Sequence, residues 1–98
     1  MTASETNKDN QPMVNGTIRY WAAAKEAAGK SEEPVTGSTL AEVLESVRAA
    51  YSEDDRLLRV LDRSSFVVDE YPVGARPHAG VLLNEGYVIE VLPPFAGG

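Results

Sequence analysis

The chain has 98 residues, 43% of them apolar, with nine Lys and Arg against fifteen Asp and Glu and a formal net charge of −6. That length makes one small domain with one modest core. The scattered basic residues argue against nucleic acid as a ligand, since phosphate binding needs clustered Lys and Arg. The absence of cysteine excludes a disulfide framework, a thiolate metal site and a thiol nucleophile.

Residues 1–13 are polar and aperiodic. They are expected to be a disordered extension, and with no apolar core they make no signal peptide. Val14 to Trp21 carries Val14, Thr17, Ile18, Tyr20 and Trp21, all strand-favouring, and predicts a first strand. Ala22 to Ala28 is alanine-rich and stops at Gly29, the pattern of a short helix with a glycine end. Ser31 to Thr36 predicts a second strand, placed at an edge by Pro34, with a turn at Gly37.

The main helix is expected to begin at Ser38 or Thr39. Thr39 and Glu42 have the spacing of a capping box. Leu40, Val43, Leu44, Val47 and Tyr51 fall on one helical face, a core stripe. The acidic run Ser52-Glu53-Asp54-Asp55 lacks the ligand spacing and glycine of a calcium loop, so it reads as a helix end. Leu57, Leu58 and Leu61 give the next short helix an apolar face.

Phe66 to Asp69 predicts a strand, with Glu70-Tyr71-Pro72 as the turn and Val73 opening a return. Gly74 to Gly80 reads as loop. Its His78, the only histidine, has no second ligand nearby in the sequence and reads as a solvated loop residue. Val81 to Leu83 leads into the turn Asn84-Glu85-Gly86. Tyr87 to Leu92 predicts the last strand, with Ile89 and Val91 on one face and Val88, Glu90 and Leu92 on the other. The apolar run from Val81 to Leu92 is interrupted by Asn84, Glu85 and Glu90, so no membrane span is expected and the chain reads as cytoplasmic.

Pro93-Pro94-Phe95-Ala96-Gly97-Gly98 closes the sequence. Proline cannot donate a backbone hydrogen bond, so Pro93-Pro94 ends the strand and keeps the chain extended. Six extended residues reach about 20 Å at most. Gly97 and Gly98 fit a channel too narrow for any side chain. Two terminal glycines alone would be an ordinary fraying end. The ordered string of apolar strand, Pro-Pro, apolar residue and Gly-Gly is more specific. It suits a partner enzyme that works on the terminal carboxylate.

This tail, with Asn84-Glu85-Gly86 and Tyr87-Val88-Ile89-Glu90-Val91-Leu92 before it, resembles the MoaD/ThiS sulfur carriers. Ile18 to Gly29 is similar to the first strand and short helix of the molybdopterin synthase small subunit. The resemblance covers residues 14 to 98. It implies an α+β fold of the β-grasp, ubiquitin-like kind: a mixed sheet on one main helix, with first and last strands parallel at its centre. It implies a domain over 14–92 and a flexible tail over 93–98.

It also implies a carrier with no catalytic side chains and no bound cofactor. An E1-like adenylyltransferase of the MoeB/ThiF type would use ATP to activate the Gly98 carboxylate, and sulfur would convert it to a thiocarboxylate. Without cysteine, that sulfur has no side chain of this protein to ride on. Gly97 and Ala96 would thread the partner's channel, and Phe95, Leu92 and Pro94 would dock. In molybdopterin (molybdenum cofactor) biosynthesis the acceptor would be a MoaE-like large subunit. The extension and Glu90 depart from typical small subunits. Thiamine, cysteine or tRNA thiolation, a ubiquitin-like modifier, and a plain interaction domain therefore stay open. An enzyme with its own catalytic residues is the weakest reading, since no carboxylate pair stands out.

Overall fold

The structure, a computed structural model, describes residues 12–94. Among these, strands β1 (Val14–Tyr20), β2 (Glu32–Gly37), β3 (Ser65–Val68), β4 (Tyr71–Pro72) and β5 (Tyr87–Leu92) form one sheet of order β2-β1-β5-β3-β4. Helices α1 (Ala22–Ala28), α2 (Leu40–Ala50) and α3 (Asp55–Arg63) complete the fold, with a short 3-10 turn at His78–Gly80. β1 and β5 run parallel at the centre, Gly16 opposite Tyr87 and Tyr20 opposite Val91. All other pairs are antiparallel. This is the mixed sheet of a β-grasp fold.

The core lies on one face of the sheet. Ile18 and Tyr20 of β1, Phe66 and Val68 of β3, and Tyr87, Ile89 and Val91 of β5 cluster with Leu40, Val43, Leu44 and Val47 of α2. Leu57 and Leu61 of α3 and Ala24 of α1 join them, so all three helices feed the core. Tyr51, the fifth residue of the expected stripe, sits at the C-cap of α2 and is half-buried.

The helix ends follow from local chemistry. Gly29 is left-handed (φ +79°) and its N–H closes α1 on the Lys25 carbonyl, the geometry glycine takes without a Cβ penalty. Thr39 caps α2, its hydroxyl accepting from the Glu42 N–H at 3.2 Å. The reciprocal arm of the capping box lands one residue early. The Glu42 carboxylate accepts from the N–H and hydroxyl of Ser38, at 2.8 and 2.6 Å. Ser38 is buried, so those donors need a partner more than the half-exposed Thr39 does. The Ser38 hydroxyl, then its backbone, holds the Glu42 carboxyl below the usual range. In the acidic run, Asp54 is the N-cap of α3 and accepts from the Leu57 N–H at 3.0 Å.

Two expectations need correction. The turn after β3 is Asp69-Glu70, not Glu70-Tyr71-Pro72, and Tyr71 already belongs to the return strand β4. Asp69 and Glu70 both have positive φ, 49° and 74°, the signature of a tight hairpin turn that glycine or asparagine normally supplies. Here β5 holds it: the Asp69 N–H donates to the Val88 carbonyl and its carboxylate accepts from the Val88 N–H, each at 2.9 Å. His78 is half-buried rather than solvated, its ring edge-on to Phe66 at 5.3 Å.

Both sheet edges are blunted by proline. Bonded positions alternate in an antiparallel pair. The Tyr20 N–H bonds to the Ser31 carbonyl, so in this register Glu33 and Val35 bond inward and Pro34 faces the free edge. Its missing N–H removes a donor an added strand would need. The other edge, β4, is two residues long and ends at Pro72.

Candidate carrier site at the end of the last strand

The central strand β5 is the only route by which the chain reaches its C-terminal tail. Its register with β3 ends at Ser65 opposite Leu92. On the β1 side the Trp21 N–H donates to the Val91 carbonyl at 3.3 Å. Pro93 and Pro94 follow and offer no donor to continue the ladder. The tail therefore follows a strand paired on both sides, at the point where that pairing stops.

The faces of β5 alternate as expected. Tyr87, Ile89 and Val91 are buried, while Val88, Glu90 and Leu92 are half-buried on the helix-free face. Leu92 thus lies on the outer face beside the tail, Pro93 is half-buried and Pro94 exposed. Phe95, Ala96, Gly97 and Gly98 lie outside the described residues, as do residues 1–11 of the expected N-terminal extension.

Around Leu92 the outer face combines apolar and acidic groups. Arg19 stands opposite Glu90 in the β1–β5 register, but its guanidinium is bonded to Glu32 at 3.1 Å. The Glu90 carboxylate instead accepts the indole N–H of Trp21 at 3.0 Å. Trp21 keeps 47% of its surface exposed, so core packing does not account for it. Sequence reading took Trp21 as the end of β1 and Glu90 as a departure from the family pattern. What joins them is the parallel pairing of β1 with β5, which periodicity does not reveal.

Among the described residues no group of three His, Asp or Glu converges as a metal site. No helix there is long and apolar enough to cross a membrane. The titratable cluster away from the tail is structural. The Glu33 carboxylate accepts from Tyr20 at 2.6 Å and Tyr51 at 2.9 Å, and faces Lys30 at 3.4 Å. Burial pushes the Glu33 carboxyl up, but the two tyrosine bonds and the Lys30 charge outweigh it and leave it below its ordinary value. Burial, then the Glu33 bond, drives the Tyr20 phenol well above the tyrosine range.

A five-stranded mixed sheet clasping α2, with a Gly-Gly sequence following its central strand, defines a ubiquitin-like protein of the β-grasp class. Residues 18–98 match the model of the ThiS family, and the chain belongs to that family. Members of this family are small ubiquitin-like sulfur carriers, and this chain is one of them. No curated protein matches its sequence.

Several solved structures share the fold. The small archaeal modifier protein 1 of Methanosarcina acetivorans superposes with a TM-score of 0.74 at 23% identity, over 89% of this chain and 99% of that one. The putative molybdopterin converting factor subunit 1 of Pyrococcus furiosus gives 0.64 at 18%, over 83% and 98%. A chain of the complex of molybdopterin-converting factor subunits 1 and 2 from Helicobacter pylori gives 0.60 at 20%, over 87% and 100%. At these identities the likeness establishes the fold.

Proposed function

We propose that the Gly98 carboxylate is activated as an acyl-adenylate by an E1-like adenylyltransferase of the MoeB/ThiF type and converted to a thiocarboxylate. The observation that carries this reading is the family match running through Gly98, on a tail rooted in the central strand. A carboxylate is a poor acyl donor. In the first step its oxygen attacks the α-phosphorus of ATP and pyrophosphate leaves. In the second, hydrosulfide attacks the carbonyl carbon, the C–S bond forms, and AMP leaves. The partner supplies ATP and its catalytic groups, while this chain supplies the acyl carbon. Gly97 and Ala96 thread the partner's channel, and Leu92, Pro94 and Phe95 dock beside it.

The acceptor in this reading is molybdopterin biosynthesis in the cytoplasm, with a MoaE-like large subunit carrying the catalytic residues. Support comes from the fold shared with the two molybdopterin-converting factor structures, one of them a complex of subunits 1 and 2. Incubating the full chain with ATP, an E1-like enzyme and sulfide should add the mass difference between sulfur and oxygen, mapped to Gly98. Deleting Gly98 should abolish the gain and leave the melting temperature unchanged. Sulfur transfer by the Gly98-deleted chain would overturn the proposal. A co-purifying larger subunit would identify the acceptor.

A second reading is favoured by the likeness to the small archaeal modifier protein 1. The same activated tail would then form isopeptide bonds with lysines of other proteins. Mass-shifted conjugates in extracts, absent for the Gly98-deleted chain, would select it.

A further inference from the structure

We propose that Trp21 and Glu90 form a latch that fixes where the tail leaves the sheet, and so position it for activation at Gly98; the use of the latch rests on the carrier reading above. Trp21 bonds to two consecutive residues of β5. Its indole N–H donates to the Glu90 carboxylate at 3.0 Å, and its backbone N–H donates to the Val91 carbonyl at 3.3 Å. These bonds lie two and three residues before Pro93, with only Leu92, paired with Ser65 of β3, between them and the two prolines, which add no donors of their own.

The local backbone is bent to allow this. Ala22, the next residue, has φ +49°, a left-handed conformation that a residue with a Cβ adopts at a penalty. Such a conformation persists only where its surroundings hold it. The Trp21 bonds to β5 are the hold on this side of α1, which has no side-chain N-cap bond at Trp21. Since Trp21 is 47% exposed and Arg19 is engaged by Glu32, neither burial nor an ion pair explains the Trp21–Glu90 contact. Anchoring the strand end does.

A tail that must enter a narrow channel benefits from a fixed starting direction. Releasing the latch spreads the free chain over more conformations, and apparent affinity falls with the competent fraction. Once the tail is threaded the chemistry is unchanged. Trp21 and Glu90 are thus positioning residues, and their loss should act on KM rather than kcat.

The test uses the full chain as wild type, Trp21→Phe, Glu90→Ala, Glu90→Gln and the Trp21→Phe/Glu90→Ala double variant. Backbone ¹⁵N order parameters at Leu92 and Phe95 are measured on the free chain, and KM and kcat for ATP-dependent thiocarboxylate formation with the E1-like enzyme. Trp21→Phe keeps an aromatic side chain, smaller than the indole, and loses the donor. It and Glu90→Ala should lower both order parameters and raise KM roughly three- to ten-fold at unchanged kcat. Glu90→Gln should stay near wild type, because its amide oxygen accepts the same N–H. The double variant should be no worse than either single one.

Glu90→Gln as impaired as Glu90→Ala would mean that the charge itself meets the partner, and would overturn the latch. So would unchanged order parameters in Trp21→Phe. If the wild type gains no sulfur, the carrier reading fails, while the order parameters still decide whether the latch exists.

Discussion

The two faces of β5 carry six residues of one strand and follow different rules. Tyr87, Ile89 and Val91 are sealed against α2 and the neighbouring strands. Val88, Glu90 and Leu92 sit half-buried on a face that no helix covers. The inner set holds the fold together. The outer set, with Trp21 beside it, is not bound by the packing of the core. In the proposed reading a carrier needs this separation, because a docking surface beside the tail must answer to partners without loosening the sheet that anchors it.

The largest stability effect should come from the inner face. Ile89 has no exposed surface, and Ile89→Ala removes buried methylenes and leaves a cavity, at about 2–5 kcal/mol. That is a large share of the roughly 5–15 kcal/mol available to a domain of this size. Leu92→Ala, on the outer face, should lose less than about 1 kcal/mol. Urea unfolding of the two variants measures the difference directly. Equal losses would break the division between the faces.

Gly16→Ala should come next. Gly16 stands opposite Tyr87 in the parallel register, and a methyl added there would overlap the Tyr87 ring. That ring is 1% exposed and its hydroxyl donates to the Val14 carbonyl at 3.4 Å, so it cannot swing aside freely. Overpacking of this kind costs about 1–3 kcal/mol. Combining Gly16→Ala with Tyr87→Leu should recover part of the loss. Full additivity in a denaturation cycle would show that the ring is not the obstacle.

What the sequence disclosed depended on the range of the physics involved. Local rules were legible: the period of two in β5, the helical stripe of α2, the Thr39 cap and the Gly29 stop. The Asp69-Glu70 turn was misplaced because Asp69 was read as the last residue of the strand and Glu70 carries no turn signal, and the bonds that hold the turn come from β5, nineteen positions away. Glu42 was paired with Thr39 because burial of Ser38 is a tertiary fact. The parallel contact of β1 with β5 followed from family resemblance, since periodicity identifies strands but not their neighbours. Trp21 and Glu90 could not be joined without that contact. Leu92 was placed correctly on the outer face by alternation alone.

The smallest expected effect concerns a third region, where Glu33 ties the sheet edge to Tyr20 of β1 and, through Tyr51, to the end of α2. Burial opposes ionisation of Glu33, but the tyrosine bonds and Lys30 prevail and its folded pKa lies below the ordinary glutamate value of 4.5. A carboxyl with a depressed folded pKa contributes stability that is complete above the unfolded value and disappears as the pH falls through the folded one. The wild type should therefore lose stability on the acid side of about pH 4.5. Tyr20 acts at the other limb. Its pKa is raised, first by burial and then by Glu33, above the ordinary 10.0, so its contribution is complete below that value and is lost as the pH climbs beyond it. Glu33→Gln keeps an acceptor oxygen but loses the charge, and should lower stability at neutral pH by about 1 kcal/mol while flattening the acid limb. The measurement is melting temperature against pH for wild type and variant. Parallel acid limbs would place the acid sensitivity elsewhere. A flattened limb would show that this edge is held by a charged hydrogen-bond cluster, in contrast to the apolar packing that holds β5.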